Sequence, residues 1–365
     1  MTVTMVLDGG LGDSGKGRFA AYLALVQDFG HVVAGGTGVG GAHVLQDQDT
    51  GVDILCSSVP VGLVNPRTKL YIGPGTLVDE RGLTEEIDRL ENYAVRHRLV
   101  VDSRCGLIPA DAVAREAAAG LVDMGLSFEA GATAARSDYL WRRGRRAGTL
   151  IDPPFRVGDV VGELNAVAST EPVLVVGAHG TGYNLFKGDG YPFVTSDDCS
   201  AAATLNRTGL AWRHLSTVVG VINMVPMTTL DVSLPHELDA EEIERRGWTS
   251  RGRVSGRLHR IAARPSLSRI RRFVLEEQPT HLALGRMDLL CPGAAGARDA
   301  QGLGADANDW ISRIERETGV PVRYVGTGPG LFDVVDLEPD PSRGGPTACP
   351  WSAVLARQPV QQGEQ

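Results

Sequence analysis

Residues able to handle phosphate and protons are concentrated in the first forty-five positions. Gly10-Leu-Gly-Asp-Ser-Gly15-Lys16 satisfies G-x-x-x-x-G-K, a spacing in which backbone N–H groups cradle phosphate oxygens while the lysine reaches the outer ones. Where Ser or Thr normally follows that lysine and offers a hydroxyl to Mg²⁺, this chain has Gly17, so a metal-dependent reaction must find its protein ligand elsewhere. Asp13, inside the loop, is the obvious oxygen donor. A carboxylate among phosphates is costly unless a cation lies between them. His43 closes a second glycine-rich stretch, Gly35-Gly-Thr-Gly-Val-Gly-Gly-Ala-His43, and imidazole is the side chain best suited to exchange a proton near neutral pH. Taken singly, the first loop is also a tight turn in an unrelated α/β fold, and a lone histidine is ordinarily structural.

The elements around these residues favour the phosphate reading. VTMVLD, the glycine loop, RFAAYLALVQ and HVVAG read as strand, loop, helix and strand, the opening of a nucleotide-binding α/β sheet. Two glycine-rich loops on neighbouring strands would bring Asp13 and His43 to one cleft at the carboxyl ends of that sheet. TKLYIG, RLVVD, PVLVVG, TVVGVINMV, THLALG and VPVRYVG have strand character; DERGLTEEIDRLENYAVRHR, SLSRIRRFVLEEQ and DANDWISRIERETG have helical spacing. The alternation predicts an α/β protein with a P-loop-like, mostly parallel central sheet and flanking helices. Residues 1–337 form a single α/β domain in this reading, residues 338–365 are a poorly ordered Pro/Gly-rich tail, and residues 293–306 are a mobile surface loop.

Composition sets limits on the partners. The 365 residues hold 36 Lys+Arg against 44 Asp+Glu, a formal charge of -8, which argues against a protein working mainly through nucleic-acid phosphates. Only Lys16, Lys69 and Lys187 are lysines, so a chain that otherwise writes arginine has put a lysine in its glycine loop. No run approaches the roughly 20 apolar residues of a bilayer span, and MTVTMVLDGG lacks the layout of a secretory signal. A soluble, cytoplasmic protein with no membrane partner is expected. The five cysteines are scattered without a C-x-x-C pair, so neither a disulfide framework nor a zinc knuckle is indicated.

The ordered set GDSGKG, GGAH, VPVG with IGPGTLV, GYPFVTSDDCSAA, Arg251-Gly-Arg253, GRMD and GTGP resembles the adenylosuccinate synthetase family, most closely its short archaeal and viral forms, from Met1 to about Leu337. The resemblance implies a carbon–nitrogen ligase in which the γ-phosphate of GTP passes to the 6-oxygen of a purine nucleotide and aspartate then displaces phosphate. It implies that Asp13 is general base and Mg²⁺ ligand, with the Ala42 carbonyl as a second ligand, and that His43 donates to the 6-oxygen. Gly12, Gly15, Lys16 and Gly17 match the family's phosphate cradle. Asp288 matches the carboxylate that reads the guanine of the donor, and Gly326, Thr327, Gly328 and Pro329 match a turn on the same base. Arg286 replaces the usual lysine beside Asp288, leaving GTP and ATP both open as donor. Arg251 and Arg253 match a clamp on the aspartate carboxylates and the transferred phosphate, with Thr249 and Ser250 on the same loop, and Thr195 and Ser196 match contacts near the nucleotide monophosphate. Arg142 or Arg143, with Arg143 preferred, matches an arginine supplied across a homodimer interface.

The chain also departs from that family. Gly40 stands for the asparagine before the histidine, His179 for the glutamine of G-x-Q-G, Ser14 for the glutamate after the aspartate, and Thr228–Pro235 for a glycine-rich segment. Gly131-Ala-Thr-Ala-Ala135 is a shortened version of the family's threonine-glycine loop, with Thr133 its survivor. The phosphate machinery is kept while the nucleotide pocket is rewritten. That pattern implies an active enzyme on a non-standard purine nucleotide, deoxyguanylate or a modified purine; IMP itself and a catalytically silent nucleotide binder are the alternatives.

Overall fold

The computed structural model describes residues 2–36, 41–46, 53–126, 130–188, 190–253 and 255–338. Ten strands build the central sheet: β1 (Val3–Asp8), β2 (His31–Gly35), β3 (Lys69–Ile72), β4 (Leu99–Asp102), β5 (Arg156–Gly158), β6 (Val173–Gly177), β7 (Leu215–Asn223), β8 (His281–Gly285), β9 (Val322–Gly326) and β10 (Val334–Asp336). Their order is β10-β9-β8-β7-β1-β6-β2-β3-β4-β5. Every pairing is parallel except β9 with β10. Strand β1 pairs with β6 on one side and β7 on the other, so the chain winds outward in both directions from it. A topological switch of this kind leaves a crevice beyond the carboxyl ends of the strands.

Continuous apolar runs suit this position because both faces of the sheet are covered. Along β1, Val6 packs with Phe19 and Leu23 of the helix Lys16–Val26, while Met5 and Leu7 pack on the opposite face with Val160 and Leu164. Burying each such side chain contributes about 1.5–3 kcal/mol, which pins the loop between β1 and its helix. A further core joins Ile222 of β7 and Leu284 of β8 to Phe273 of the helix Leu267–Glu277 and Ile311 of the helix Gly304–Thr318.

The expected elements were modified in specific places. The run DERGLTEEIDRLENYAVRHR does not form one helix: the helix ends at Arg89, Glu91–Tyr93 forms a tighter turn, and Ala94 takes a left-handed conformation at φ 50° before Val95–Arg98. Turning there buries Leu90, Tyr93 and Val95 together. The stretch 293–306, expected as a mobile loop, instead contains the turns Pro292–Ala294 and Ala300–Leu303 and the start of the helix Gly304–Thr318. Buried Ala294 and Leu303 anchor it, and Asp299 caps the second turn by accepting from the N–H of Gly302 at 2.9 Å. Residues 339–365, which hold nearly all of the expected tail, lie outside the described residues. Among the described residues, no helix is long and apolar enough to cross a membrane. Cys56, Cys105, Cys199 and Cys291 are buried and free.

Candidate active site

A cavity of about 750 Å³ opens beyond the carboxyl ends of the central strands, large enough for nucleotide-sized ligands. The glycine loop forms its floor. Asp8, the last residue of β1, is buried and accepts from the Ser14 hydroxyl at 2.5 Å and the Gly10 N–H at 2.8 Å. It thereby closes the loop on itself, and burial raises the pKa of its carboxyl. Gly15 caps the following helix at φ 82° without a side-chain cap, which leaves the first-turn N–H groups for an anion. Lys16 is buried and its ammonium donates to the Gly177 carbonyl at the end of β6. Burial pushes its pKa down to about 8, opposed by the nearby Asp8; an arriving phosphate would supply the counter-charge this cation lacks.

The glycine after the lysine has a steric cause. A Cβ built at Gly17 would lie 2.5 Å from Cγ of His43, so the imidazole ring occupies the space that the usual Ser or Thr would need. His43 begins the antiparallel pair His43–Gln46 and Asp53–Cys56, which lays its ring on the first turn of the phosphate helix. Burial, then the charge of Lys16, then His179, hold its pKa well below the usual histidine range. The imidazole is therefore neutral at pH 7 and has one N–H to give.

Asp13 is exposed to the cavity on a left-handed backbone at φ 49°. Its carbonyl accepts from Asn223 Nδ2 and Arg286 Nε, each at 3.0 Å. Its Oδ2 accepts from His259 Nε2 at 3.1 Å, and His259 Nδ1 lies 2.8 Å from the Ser250 hydroxyl. Sequence reasoning missed Asn223 and His259. Asn223 lies inside the run TVVGVINMV, whose strand character says nothing of a partner 210 positions away; His259 stands 246 positions from Asp13, a separation that no local pattern reports.

Asp13, Lys16, His43, Thr133, His179, Thr195, Arg251, Arg253 and Asp288 all line this cavity, with Gly12, Gly15, Gly17, Ala42, Gly328 and Pro329. At the end near Asp288, burial raises the carboxyl pKa of that residue, and buried Arg18 opposes the shift. The Arg18 guanidinium fills the space where a side chain at Gly326 would project. Thr327 turns inward: fully buried, its hydroxyl donates to the Ala297 carbonyl at 2.7 Å. Gly326 and Thr327 thus shape the turn, while Gly328 and Pro329 face the ligand space. His179 follows β6 on a left-handed backbone at φ 54°. Burial and the cations Lys16, Arg207 and Arg136 push its pKa down to about 4, so it too is neutral at pH 7. Tyr183, which also lines the cavity, shares a hydrogen bond with Thr228 through their hydroxyls.

The remaining expected residues fall in different places, and an arginine offered across a dimer interface, as Arg143 is expected to be, would itself lie outside this chain's own cavity. Thr249 is exposed and its neighbour Ser250 lines the cavity instead. Arg143 is on the surface, 5.8 Å from the Trp141 ring, outside the cavity. Gly40 lies outside the described residues. Thr133 does reach the cavity, but its N–H donates to buried Glu116 at 2.7 Å, as do those of Ala134 and Gly131 at 3.2 Å. Among the described residues, no group of three or more His, Cys, Asp or Glu is arranged to hold a metal. Mg²⁺ is commonly held by one or two carboxylates together with water and substrate phosphates, and Asp13 with the Ala42 carbonyl fits that donor set.

The geometry can be compared with known proteins. Residues 5–159 match the family model described as adenylosuccinate synthetase. The chain is 30% identical over 334 residues to adenylosuccinate synthetase of Thermococcus onnurineus, covering 91% of this chain and 97% of that protein. With the enzyme of Thermococcus sibiricus it is 32% identical over 342 residues, covering 91% and 98%. Among solved structures, fully ligated adenylosuccinate synthetase from Plasmodium falciparum superposes with a TM-score of 0.82 at 15% identity, over 93% of this chain and 100% of that one. Cyanophage S-2L succinoaminodeoxyadenylate synthetase, bound to dGMP and to dATP as energy donor, gives 0.75 at 22% identity, over 98% and 99%. With its phosphate loop, Asp13 and His43 lining one cavity, and this near-complete coverage, the chain belongs to the adenylosuccinate synthetase family of carbon–nitrogen ligases.

Proposed function

We propose that this ligase joins aspartate to a non-standard 6-oxopurine nucleotide, deoxyguanylate or a modified purine, through a 6-phosphoryl intermediate, and that it works as a cytoplasmic homodimer. The observation that carries the reading is the contrast inside one cavity. Asp13, Lys16 and His43 share the cavity at the carboxyl ends of the central strands, while His179, neutral and near the cations Lys16, Arg207 and Arg136, lines the same cavity where the family resemblance expects a glutamine. The cyanophage enzyme, similar in fold, is bound to dGMP, which supports deoxyguanylate as the first nucleotide to try. The 30–32% identity to archaeal adenylosuccinate synthetases favours IMP as the second.

Asp13 takes the proton from the ring N–H next to the 6-oxo group, which turns an amide-like oxygen into a nucleophile. That oxygen attacks the γ-phosphorus of the donor triphosphate, whose β–γ bond breaks to release the diphosphate. Neutral His43 donates its N–H to the oxygen as charge develops there, and Lys16 with the loop N–H groups holds the transferring phosphate. Arg251 and Arg253 orient the aspartate carboxylates, so that its amine attacks C6 and the C6–O bond breaks to release phosphate. Bound Mg²⁺ would neutralise phosphate charge, held by Asp13 and the Ala42 carbonyl. Asp288 with Gly328 and Pro329 receives the donor base, GTP in the guanine reading and ATP in the alternative.

The test is phosphate release by the purified protein given Mg²⁺, aspartate, GTP or ATP, and in turn IMP, dIMP, GMP and dGMP. Release that needs both nucleotide and aspartate, with product mass increased by the succinyl addition, supports the ligase and names its base. Turnover with IMP alone would overturn the non-standard nucleotide. Nucleotide binding without turnover in any combination would favour a silent binder.

A further inference from the structure

The segment that carries Arg251 and Arg253 is a small hairpin, and its base is tied to Asp13. Arg251 and Leu258 bridge in antiparallel fashion, the His259 N–H donates to the Ser250 carbonyl at 3.0 Å, and the Gly252 N–H donates to the Arg257 carbonyl at 3.0 Å. The two arginines sit towards the tip; Ser250 and His259 face each other at the base. The His259 side chain is only 4% exposed, against 47% for that of Asp13. Both its ring nitrogens are engaged, Nε2 with Asp13 Oδ2 at 3.1 Å and Nδ1 with the Ser250 hydroxyl at 2.8 Å. Because a carboxylate oxygen accepts, Nε2 carries the proton toward Asp13.

A half-exposed carboxylate on a glycine-rich loop has several staggered rotamers open to it. The backbone of Asp13 is already fixed, since Asn223 and Arg286 hold its carbonyl. What remains free is the side chain, and the buried His259 ring is what meets it. We propose that His259 is a positioning residue: it sets the orientation of the Asp13 carboxylate, and Ser250 in turn sets the His259 ring. One hydrogen-bonded chain then joins the hairpin that would clamp the amino acid to the carboxylate that acts on the nucleotide. The proposal rests on the reading of Asp13 as the base given above and adds to it a residue outside the reacting atoms.

The experiment compares the full-length wild type with His259→Ala, His259→Gln and Ser250→Ala, by steady-state kinetics and by crystal structures of each. A residue that orients a reacting or ligating group typically costs 10- to 100-fold on removal, so His259→Ala is expected to lower kcat by about that factor while the KM for the triphosphate stays within about twofold. Gln retains an N–H at the Nε2 position and should restore kcat to within about fivefold of wild type, with Asp13 back in place. Ser250→Ala should fall between the two. In the His259→Ala crystal the Asp13 carboxylate leaves its wild-type position; in the His259→Gln crystal it does not. Equal losses in the Ala and Gln variants together with a lowered Tm would make His259 a structural clip and overturn the proposal. So would an unmoved Asp13 with kcat within about twofold of wild type. A wild-type protein that turns over no nucleotide would sink the ligase reading alone, because the Asp13 position in the variant crystals still decides whether His259 places it.

Discussion

Two walls of the same cavity are built in different ways. On the wall at the strand ends, residues of the site close buried central strands: Asp8 ends β1, Gly177 ends β6, Asn223 ends β7 and Gly285 ends β8. Backbone packs on backbone there, and a side chain added at Gly180 or Gly285 would run into the carbonyls of Gly10 or Ser14. On the opposite wall, Arg251 and Arg253 are exposed, Arg253 meets Asp53 at 3.2 Å, and the start of the helix Ala132–Leu140 is held by the carboxylate of Glu116. The first wall is over-determined by packing; the second is held by a few polar pairs that an incoming ligand can exchange for its own. A site built this way could exchange the polar residues of its second wall while leaving its first wall in place, because those exposed pairs are not the parts that hold the fold.

The comparison is broken most severely on the first wall. Asp13→Asn keeps the shape of the loop but removes the proton acceptor, and loss of a general base costs 10²- to 10⁴-fold, so kcat is expected to fall about 10³-fold. Steady-state phosphate release checks it; a variant within tenfold of wild type would remove Asp13 from the chemistry. Gly17→Ser, which restores the residue usual in such loops, is expected to harm rather than help. Its Cβ would force the His43 ring aside, and a displacement of about 1 Å in a reacting group can cost about 10²-fold. An active Gly17→Ser protein would show that His43 does not need its seat on the helix.

These two variants also mark how much of the site was legible. Asp13, Lys16 and Gly17 were readable because the phosphate loop is a local pattern, fixed by consecutive residues between a strand and a helix. Of the central strands, only β5 and β10 went unread, since three-residue edge strands have too little length to show a period. The steric reason for Gly17 was not readable, because it depends on a ring arriving from residue 43. His259 and Asn223 were invisible for the same reason at longer range. Thr327 was read as a base contact from its motif, but a threonine in a turn can equally spend its hydroxyl on the fold, and here it donates to Ala297.

A change at the junction of the two walls should have a middle-sized effect. His179→Gln is expected to shift the ratio of kcat/KM between IMP and dGMP by up to about tenfold, the scale of one ordinary hydrogen bond gained or lost. It should also change the acid stability. The unfolded imidazole takes up its proton near 6.5, whereas the folded one resists until about 4, so the unfolded state binds more protons between those values. The stability linked to His179 is full above about 6.5 and is lost as pH falls toward 4. The glutamine variant lacks this linkage, so its Tm should drop less than that of the wild type between pH 7 and pH 5. His43 titrates with the same sign, so the slope is reduced and not abolished. Parallel slopes in the two proteins would mean that His179 is not buried as a neutral ring.

The smallest effect belongs to the second wall alone. Asp53 offers Arg253 a carboxylate at 3.2 Å, with the two side chains 41% and 63% exposed, and aspartate would offer the same guanidinium the same group. If Arg253 clamps aspartate as proposed, the chain's own carboxylate would compete with the substrate's. An exposed pair of this kind contributes about 0.2–1 kcal/mol, so releasing Arg253 in Asp53→Asn should lower the KM for aspartate by about 1.4- to 5-fold and leave kcat unchanged. Salt should narrow the difference, since screening weakens the internal pair before any substrate arrives. Titrating aspartate at low and high ionic strength in both proteins measures it. A KM that rises in the variant would place Asp53 on the substrate's amine instead of against its carboxylate, and the clamp would then have to be redrawn with Asp53 as a member.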